Sequence, residues 1–284
     1  MRKKLVIQKS ITMILSKFVM KRKYVFAVII FVAVLGFALV SKREQPAQQV
    51  LLAKKLPQHV GLIADGNGRW AQNKGLSRIE GHIEGAKRVE EVVRYAFNRG
   101  ISYITIYAFS SENWKRPEAE VNALMGLFQK FVDNYMDECV QKGIRFVPIG
   151  RIEKFSPKLL QALRGAMERT KDGKKGTLFV ALNYTAQTET IDAINHYIQE
   201  NGAKPIENWE TFSRYLYTGN APDPDLIIRT SGELRLSNFL LLQSANSELY
   251  FTDTFWPDFT PEAFEKALLT YEGRERRFGA VRPM

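Results

Sequence analysis

The chain has 284 residues, of which 45% are hydrophobic and 25% charged, and its formal net charge is +11. This length allows one large domain or two small ones. The single cysteine, Cys139, excludes an intrachain disulfide and a multi-cysteine metal site, and its place on the apolar face of a predicted helix favours a buried side chain.

The excess positive charge is confined to residues 1–55. They contain twelve Lys and Arg residues and one acid, Glu44, whereas residues 56–284 contain 29 basic and 29 acidic residues. A nucleic-acid-binding domain needs a basic face on its folded body, and residues 56–284 are neutral overall. The composition therefore disfavours nucleic acid as a partner.

An apolar segment lies inside the basic tail. Residues 24–40 are seventeen positions without a charge, flanked by Lys21-Arg22-Lys23 and Lys42-Arg43. A helix of that length reaches roughly 25 Å, near the lower limit for a bilayer span, and basic flanks suit anionic lipid headgroups. We expect residues 1–55 to hold a single membrane anchor followed by a tether. A cleaved targeting peptide is the alternative.

Residues 56–284 alternate between short apolar runs and longer helical patterns. This alternation predicts an α/β domain with a mainly parallel central sheet flanked by helices. The predicted strands cover 59–64, 102–109, 144–150, 177–183 and 225–229, and the predicted helices cover 83–99, 117–141, 156–171, 187–200 and 260–273.

The helix predicted over 117–141 has a broad apolar face. Val121, Leu124, Phe128, Phe131 and other apolar residues recur there at helical spacing. Ordinary core packing explains such a face.

A carboxylate, two glycines and an arginine follow the first predicted strand, in the segment Asp65-Gly66-Asn67-Gly68-Arg69-Trp70. The glycines allow a sharp turn that brings backbone N–H groups close to an anion, and a helix starting near Asn67 would add its dipole. The pattern is typical of a site for a metal-bound phosphate. A tight loop with a helix cap has the same composition.

Further polar motifs follow in a fixed order. They are Arg78 with His82, the segment Ser110-Ser-Glu-Asn113-Trp114-Lys-Arg116, the R-x-S-G-E-x-R-x-S pattern from Arg229 through Arg235 to Ser237, the segment Glu248-Leu-Tyr-Phe-Thr-Asp253, and the ending Arg274-Glu-Arg276-Arg277-Phe-Gly279. Together with the Asp65 turn, they resemble the cis-prenyltransferases, the family of undecaprenyl and dehydrodolichyl diphosphate synthases.

The resemblance covers about residues 56–279 and implies both a fold and a reaction. The fold is an α/β sheet with helices that enclose an apolar tunnel for the growing prenyl chain, and the helix at 117–141 lines that tunnel. The reaction joins isopentenyl diphosphate to an allylic diphosphate such as farnesyl diphosphate, gives a Z-polyprenyl diphosphate and releases pyrophosphate.

The resemblance also assigns roles to single residues. Asp65 corresponds to the essential aspartate, which ligates Mg²⁺ bridged to the allylic diphosphate, and Glu248 to a second magnesium carboxylate. Asn113 corresponds to the asparagine that orients isopentenyl diphosphate and relays its proton. The diphosphate of that substrate is assigned to Arg229, Arg235 and Ser237. The other implied substrate-binding residues are Gly66, Asn67, Gly68, Arg69, Trp70, Arg78, His82, Ser110, Trp114 and Arg116.

Spacing alone leaves plainer alternatives open for several of these residues. Arg229, Arg235 and Ser237 could form an ion-pair network on a surface loop, and Glu248 could be an exposed residue of an edge strand. A lone histidine such as His82 is more often structural.

The chain departs from the family pattern at three places. Ala64 replaces a common Met before the aspartate, Thr185-Ala186-Gln187 replaces Gly-Gly-Arg after Asn-Tyr, and Asn246 replaces a usual aromatic residue. The second change alters a helix entry, where Thr185 can serve as the N-cap. No residue assigned to diphosphate or metal is lost, so we expect catalytic activity.

The resemblance further implies a homodimer. The alternative function is a non-catalytic, membrane-anchored partner subunit of a cis-prenyltransferase complex, but such subunits lack the aspartate motif that this chain keeps. The sequence has neither the Asp-Asp-x-x-Asp helix motif of trans-prenyltransferases nor a P-loop. Because the precursors are cytosolic, we expect the catalytic domain to face the cytoplasm, against a modest bias of the flanking charges.

Overall fold

The computed structural model describes residues 56–277, 279 and 281. The predicted basic tail, membrane anchor and tether lie outside the described residues, so the division at residue 55 stays a prediction. Among the residues that are described, none of the helices combines the length and the apolar character needed to cross a bilayer.

A six-stranded parallel sheet forms the centre of the described part. The strands lie in the order β3-β4-β2-β1-β5-β6. From β1 the chain continues to β2 on one side and later returns with β5 on the other. In open α/β sheets such a topological switch point, at the carboxyl ends of the strands, is where ligands bind. The strands are β1 (His59–Ile63), β2 (Tyr103–Ser110), β3 (Ile144–Ile149), β4 (Gly176–Tyr184), β5 (Leu226–Arg229) and β6 (Glu248–Phe251).

Seven α-helices of the described part surround the sheet, and their starts follow local capping chemistry. The second helix begins at Arg78, earlier than predicted, because Ser77 and Glu80 form a capping box. Thr185 Oγ1 accepts a hydrogen bond from the Thr188 N–H at 3.2 Å, which confirms the predicted N-cap. The helices are α1 (Asn67–Asn73), α2 (Arg78–Arg99), α3 (Glu118–Lys142), α4 (Pro157–Thr170), α5 (Ala186–Asn201), α6 (Trp209–Ser213) and α7 (Pro261–Glu272).

The predicted α/β class is confirmed, but β6 was not among the predicted strands. It has four residues, all half-buried, and it lies at the edge of the sheet. So short a run shows little periodicity, and its pairing with β5 decides its conformation.

The two faces of the sheet carry separate apolar clusters, because side chains of a strand alternate between faces. Leu62 and Ile228 belong to the larger cluster, together with Met136 of α3 and Phe264 of α7. The smaller cluster lies on the other face around Tyr184, Phe239 and Leu240. Cys139 is buried in the larger cluster, as predicted.

His59, the first residue of β1, is a buried histidine that the sequence did not single out. Its Nδ1 lies 2.7 Å from the Pro222 carbonyl oxygen and its Nε2 lies 2.7 Å from Thr105 Oγ1. Burial lowers the pKa of His59 to about 4, although the Pro222 hydrogen bond and the charge of Asp225 oppose the shift. The imidazole is therefore neutral in the folded protein at neutral pH.

We expect this histidine to make stability depend on pH. Below pH 6.5, the ordinary pKa of histidine, His59 binds a proton in the unfolded chain but stays neutral in the folded chain. The free energy of unfolding should therefore fall as the pH drops from about 6.5 to about 4, by up to about 3 kcal/mol. Urea unfolding at pH 7 and at pH 4.5 measures the difference in the free energy of unfolding between the two pH values. This difference should be smaller in His59→Gln. It should stay unchanged in the control His196→Gln, because His196 is exposed. An equal pH dependence in all three proteins would contradict this assignment.

Candidate functional site

A cavity of about 650 Å³ lies at the carboxyl ends of the strands beside β1. Its lining combines polar residues from strand ends and adjacent turns with apolar residues of α2, α3 and the sheet. Twelve of the residues predicted for catalysis or for binding substrate or metal line it. They are Asp65, Gly66, Asn67, Gly68, Arg69, Arg78, His82, Ser110, Asn113, Arg116, Arg229 and Ser237.

The apolar face of α3 serves two purposes. Leu124, Leu127, Phe128 and Phe131 line the cavity. Met136, further along the helix, packs in the core of the sheet. Core packing and a wall for an apolar ligand, the two explanations that periodicity alone could not separate, therefore both apply to this helix.

Asp65 lies two residues after the end of β1, and backbone contacts fix its position. Its N–H donates to Thr230 Oγ1 at 3.0 Å, and its carbonyl oxygen accepts from Thr230 Oγ1 at 2.7 Å and from the Trp256 N–H at 3.0 Å. The carboxylate accepts from Arg229 Nη2 at 2.9 Å and from the Gly66 N–H at 2.7 Å. The side chain is thus directed toward the end of β5, and the Asp65 turn is more than a loop that caps a helix.

Asp65 stays ionised in this setting. Burial by itself would raise the pKa of its carboxyl group, but the hydrogen bond and charge of Arg229, with the charge of Arg69 and the Gly66 N–H, hold that pKa below its usual value. Its side chain keeps 31% of its surface exposed. A charged, accessible carboxylate is the kind of oxygen ligand that Mg²⁺ takes.

The glycines of this region allow close approach of backbone. Gly66 has φ +102°, and a Cβ there would lie 2.6 Å from the Phe255 ring. A Cβ at Gly81 of α2 would lie 2.0 Å from the backbone carbonyl oxygen of Asn67. Only glycine fits at these positions, so the first turn of α1 lies close against α2 at the cavity wall.

Arg229, the last residue of β5, connects two parts of the predicted site. Only 4% of its side chain is exposed, and its Nη1 donates to Ser237 Oγ at 2.8 Å while its Nη2 binds Asp65. Nη1 also contacts the Arg235 carbonyl oxygen. The buried Nε of Arg229 has no hydrogen-bond partner among the described residues. The surface-network alternative therefore does not hold for Arg229, and a buried guanidinium with an unused donor suits an anionic ligand.

Arg235 lies differently. Its side chain is 61% exposed, contacts Glu233, and is not among the described residues that line the cavity. Glu233 also accepts from Arg69 Nη1 at 3.0 Å. The same carboxylate thus holds two arginines that were both predicted to bind substrate, and for Arg235 the surface ion-pair alternative describes the structure.

Glu120 is the residue that the sequence analysis missed. Only 7% of its side chain is exposed, and it lies in the first turn of α3. It accepts hydrogen bonds from Arg78 Nε at 3.0 Å, from His82 Nε2 at 2.9 Å and from Arg116 Nη1 at 3.1 Å. Three residues predicted separately to bind substrate are therefore oriented by one carboxylate. The only local signal was the position of Glu120 in the first turn of the predicted helix, where an acidic side chain is favoured, four residues after Arg116.

The charges of this cluster support each other. Burial would raise the pKa of Glu120, but the hydrogen bonds from Arg78 and His82 and the charge of Arg116 lower it to about 2. Burial lowers the pKa of His82 more than Glu120 raises it, and the two arginines add to the lowering. A neutral His82 therefore donates its Nε2–H to an ionised Glu120, which favours the structural explanation of this histidine.

Removing Glu120 should destabilise the fold. We expect Glu120→Ala to lower the free energy of unfolding by about 2–4 kcal/mol, somewhat less than for a fully buried pair, because Arg78 and Arg116 keep part of their surface in water. Urea unfolding followed by circular dichroism measures the change. Glu84→Ala, which breaks the surface pair with Lys87, is the control and should cost less than about 1 kcal/mol. Equal losses in both variants would contradict the assignment.

Two predicted aromatic residues, Trp70 and Trp114, are not among the described residues that line the cavity. The Trp114 Nε1–H donates to Asn183 Oδ1 at 2.8 Å, and its ring packs against Phe109 with centroids 5.0 Å apart. The ring of Trp70 lies 4.0 Å from Lys74 Nζ. A role of these two indoles in substrate binding therefore stays a prediction.

Glu248, the first residue of β6, lies away from Asp65 within the described chain. It is level with Leu226 at the start of β5, whereas Asp65 lies two residues beyond Ile63, which is level with Arg229 at the end of β5. Three residues of strand separate those two levels by about 10 Å. Glu248 accepts a hydrogen bond from Arg274 Nη1 at 2.7 Å. The assignment of Glu248 to magnesium therefore stays a prediction.

Comparisons with known proteins agree with this geometry. A family model described as "Putative undecaprenyl diphosphate synthase" matches residues 63–279. An isoprenyl transferase of Fusobacterium nucleatum is 47% identical over 231 residues, which cover 81% of this chain and 99% of that protein. The ditrans,polycis-undecaprenyl-diphosphate synthase ((2E,6E)-farnesyl-diphosphate specific) of Micrococcus luteus is 42% identical over 246 residues, or 85% and 99% of the two chains.

A solved structure gives the same result for the fold. Lavandulyl diphosphate synthase from Lavandula x intermedia, in complex with dimethylallyl diphosphate, matches with a TM-score of 0.75 and 33% identity over 79% of this chain and 99% of that chain. The relatives are enzymes, so the alternative of a non-catalytic partner subunit is disfavoured. The family match over residues 63–279, with identities of 42–47% over almost the whole length of these relatives, shows that this chain belongs to the cis-prenyltransferase family and is an isoprenyl transferase.

Proposed function

We propose that the enzyme condenses isopentenyl diphosphate with farnesyl diphosphate and gives a Z-polyprenyl diphosphate and pyrophosphate. The observation that carries this proposal is the direct contact of Asp65 with the buried Arg229, at a cavity that also has apolar side chains of α2 and α3 in its lining. The name of the Micrococcus luteus relative supports farnesyl diphosphate as the allylic primer.

The residues fit Mg²⁺ that is shared with a diphosphate. Mg²⁺ in such sites is bound by one or two carboxylates, with water and phosphate oxygens as the other ligands. Asp65 offers one ionised carboxylate, and the described part of the chain holds no group of three or more His, Cys, Asp or Glu residues that would form an all-protein cage. When bound, the ion would neutralise negative charge that develops on the departing diphosphate.

The protein's own groups divide the remaining work. We place the allylic diphosphate near Arg69, Arg78 and Arg116, whose guanidinium groups are held by Glu233 and Glu120. A carboxylate that orients an arginine reduces the entropy lost when the arginine binds phosphate oxygens.

The second diphosphate, that of isopentenyl diphosphate, is placed on Arg229 and Ser237. Asn113 Oδ1 accepts the Ser110 N–H at 3.0 Å, which fixes the orientation of its amide group at the cavity wall. We assign Asn113 to orienting the isopentenyl group, while the apolar walls from Leu124 to Phe131 exclude water and house the growing chain.

Product analysis tests the proposal. The full chain and residues 56–284 are each incubated in detergent with farnesyl diphosphate, labelled isopentenyl diphosphate and Mg²⁺, and the labelled products are sized by chromatography. We expect polyprenyl products from both proteins, since every residue placed in the site follows residue 55. Dimethylallyl diphosphate as a competing primer tests the choice of substrate. A folded protein that makes no labelled product would overturn the proposed function.

We also infer a membrane-anchored homodimer whose catalytic domain faces the cytoplasm. The support is the uncharged run of residues 24–40 between basic flanks, the cytosolic supply of both substrates and the family resemblance. Protease protection in sealed vesicles tests the orientation, and light scattering of residues 56–284 tests the dimer. A protected catalytic domain, or a monomeric mass, would contradict the respective inference.

A further inference from the structure

The segment that carries Ser237 has an unusual backbone. Ser237, Asn238 and Leu240 have φ of +47°, +63° and +45°, in the left-handed region. Residues other than glycine adopt this region at a cost in free energy. Such a conformation persists only when surrounding contacts stabilise it.

The start of α5 supplies part of those contacts. The Ala186 N–H donates to the Asn238 carbonyl oxygen at 2.8 Å, and the Gln187 N–H donates to Asn238 Oδ1 at 3.1 Å. In return, Asn238 Nδ2 donates to Gln187 Oε1 at 3.1 Å. Gln187 thus forms a reciprocal pair of hydrogen bonds with Asn238, using its backbone and its side chain.

Asn238 in turn adjoins the polar part of the cavity. Asn238 and Ser237 both line the cavity, and Ser237 Oγ accepts from Arg229, which binds Asp65. Gln187 itself is exposed and is not one of the cavity-lining residues in the described part of the chain. Any effect of its side chain on the site must therefore pass through Asn238.

We propose that Gln187 is a positioning residue for the isopentenyl diphosphate site. Its side chain holds Asn238, and Asn238 holds the left-handed turn that presents Ser237 Oγ and orients Arg229. The inference rests on the proposed function, because it assigns this residue to one of the two substrates. It also gives a role to a residue at which the chain departs from the family pattern.

The size of the expected effect follows from the bonds that would remain. In Gln187→Ala the two backbone bonds to Asn238 persist and only the bond to Oε1 is lost. A single neutral hydrogen bond corresponds to about a two- to tenfold change in affinity. We therefore expect the Michaelis constant for isopentenyl diphosphate to rise by about that factor, with little change in kcat or in the constant for farnesyl diphosphate.

Two variants separate positioning from stability. Gln187→Glu keeps an oxygen that accepts from Asn238 Nδ2 and should behave like the wild type. Gln199→Ala removes the same side chain from an exposed position at the other end of α5 and should change neither constant. A rise in both Michaelis constants in Gln187→Ala, or the same rise in Gln199→Ala, would overturn the proposal.

A double-mutant cycle tests the route through Asn238. Asn238→Gly removes the side chain and tolerates the left-handed backbone. If Gln187 acts through Asn238, adding Gln187→Ala to Asn238→Gly should not raise the Michaelis constant further. Independent, multiplying effects would overturn the proposal.

The wild-type reaction keeps the two hypotheses apart. A wild-type protein that makes no labelled product overturns the proposed function and the role of Gln187 with it. If the wild-type protein elongates normally and Gln187→Ala leaves the Michaelis constant for isopentenyl diphosphate unchanged, only the positioning role of Gln187 is overturned.

Discussion

Replacing Asp65 by alanine should lower turnover on the order of a hundredfold or more, the scale seen when one group that stabilises transition-state charge is removed. The reason is that Asp65 is an ionised carboxylate in the lining of the cavity and is bonded to the buried Arg229. The fold should survive, because the backbone bonds of Asp65 to Thr230 and Trp256 do not involve the lost side chain.

The measurement is kcat from incorporation of labelled isopentenyl diphosphate, with circular dichroism to verify folding. Asp65→Asn keeps the shape and removes the charge, so a similar loss there would assign the effect to the carboxylate's charge. Asp133→Ala removes an exposed carboxylate on α3 that accepts a hydrogen bond from Gln129, and it should leave turnover unchanged. Turnover near the wild-type value in Asp65→Ala would refute the proposed mechanism.

Replacing Arg229 by alanine should lower kcat/KM for isopentenyl diphosphate by about a hundredfold or more. The change removes the hydrogen bond to Asp65 and the proposed hydrogen bond to the diphosphate of the substrate. Each charge-assisted hydrogen bond contributes about 1.5–3 kcal/mol. Because the side chain is buried and also binds Ser237, some stability should be lost as well. Thermal unfolding separates that loss from the kinetic effect.

The pH profile gives Arg229 a second readout. Arg229 is the main group that opposes the effect of burial on the pKa of Asp65. Without Arg229 the pKa of Asp65 should rise. As the pH is lowered, Asp65 should then take up its proton at a higher pH than in the wild type. The acidic limb of the rate profile should therefore move to higher pH in Arg229→Ala. An unchanged limb would show that Asp65 is not the group that titrates there.

Arg235→Ala is the matched comparison for Arg229→Ala. Arg235 is exposed and bonded to Glu233, so its loss should raise the Michaelis constant for isopentenyl diphosphate less than tenfold, as expected for an exposed ion pair. The constant for farnesyl diphosphate should change little. Equal effects on both substrates would mean that the two diphosphate sites are wrongly divided.

The sequence by itself determined the features that depend on neighbours along the chain. Alternating apolar runs predicted the α/β class, the glycine turn placed Asp65 at the end of a buried strand, and Thr185 was predicted as a cap. Each depends on strand and helix periodicity or on turn and cap chemistry within a few residues. The family motifs added the identity of the reaction.

Only the tertiary structure decided which of the polar residues meet. Arg229 binds Asp65 because β5 lies beside β1, and Glu120 orients Arg78 because α3 packs beside α2. Sequence spacing cannot predict such pairs, since the residues are far apart along the chain. The register of β6 likewise separates Glu248 from Asp65, because strand pairing fixes the position of every residue along the strand axis.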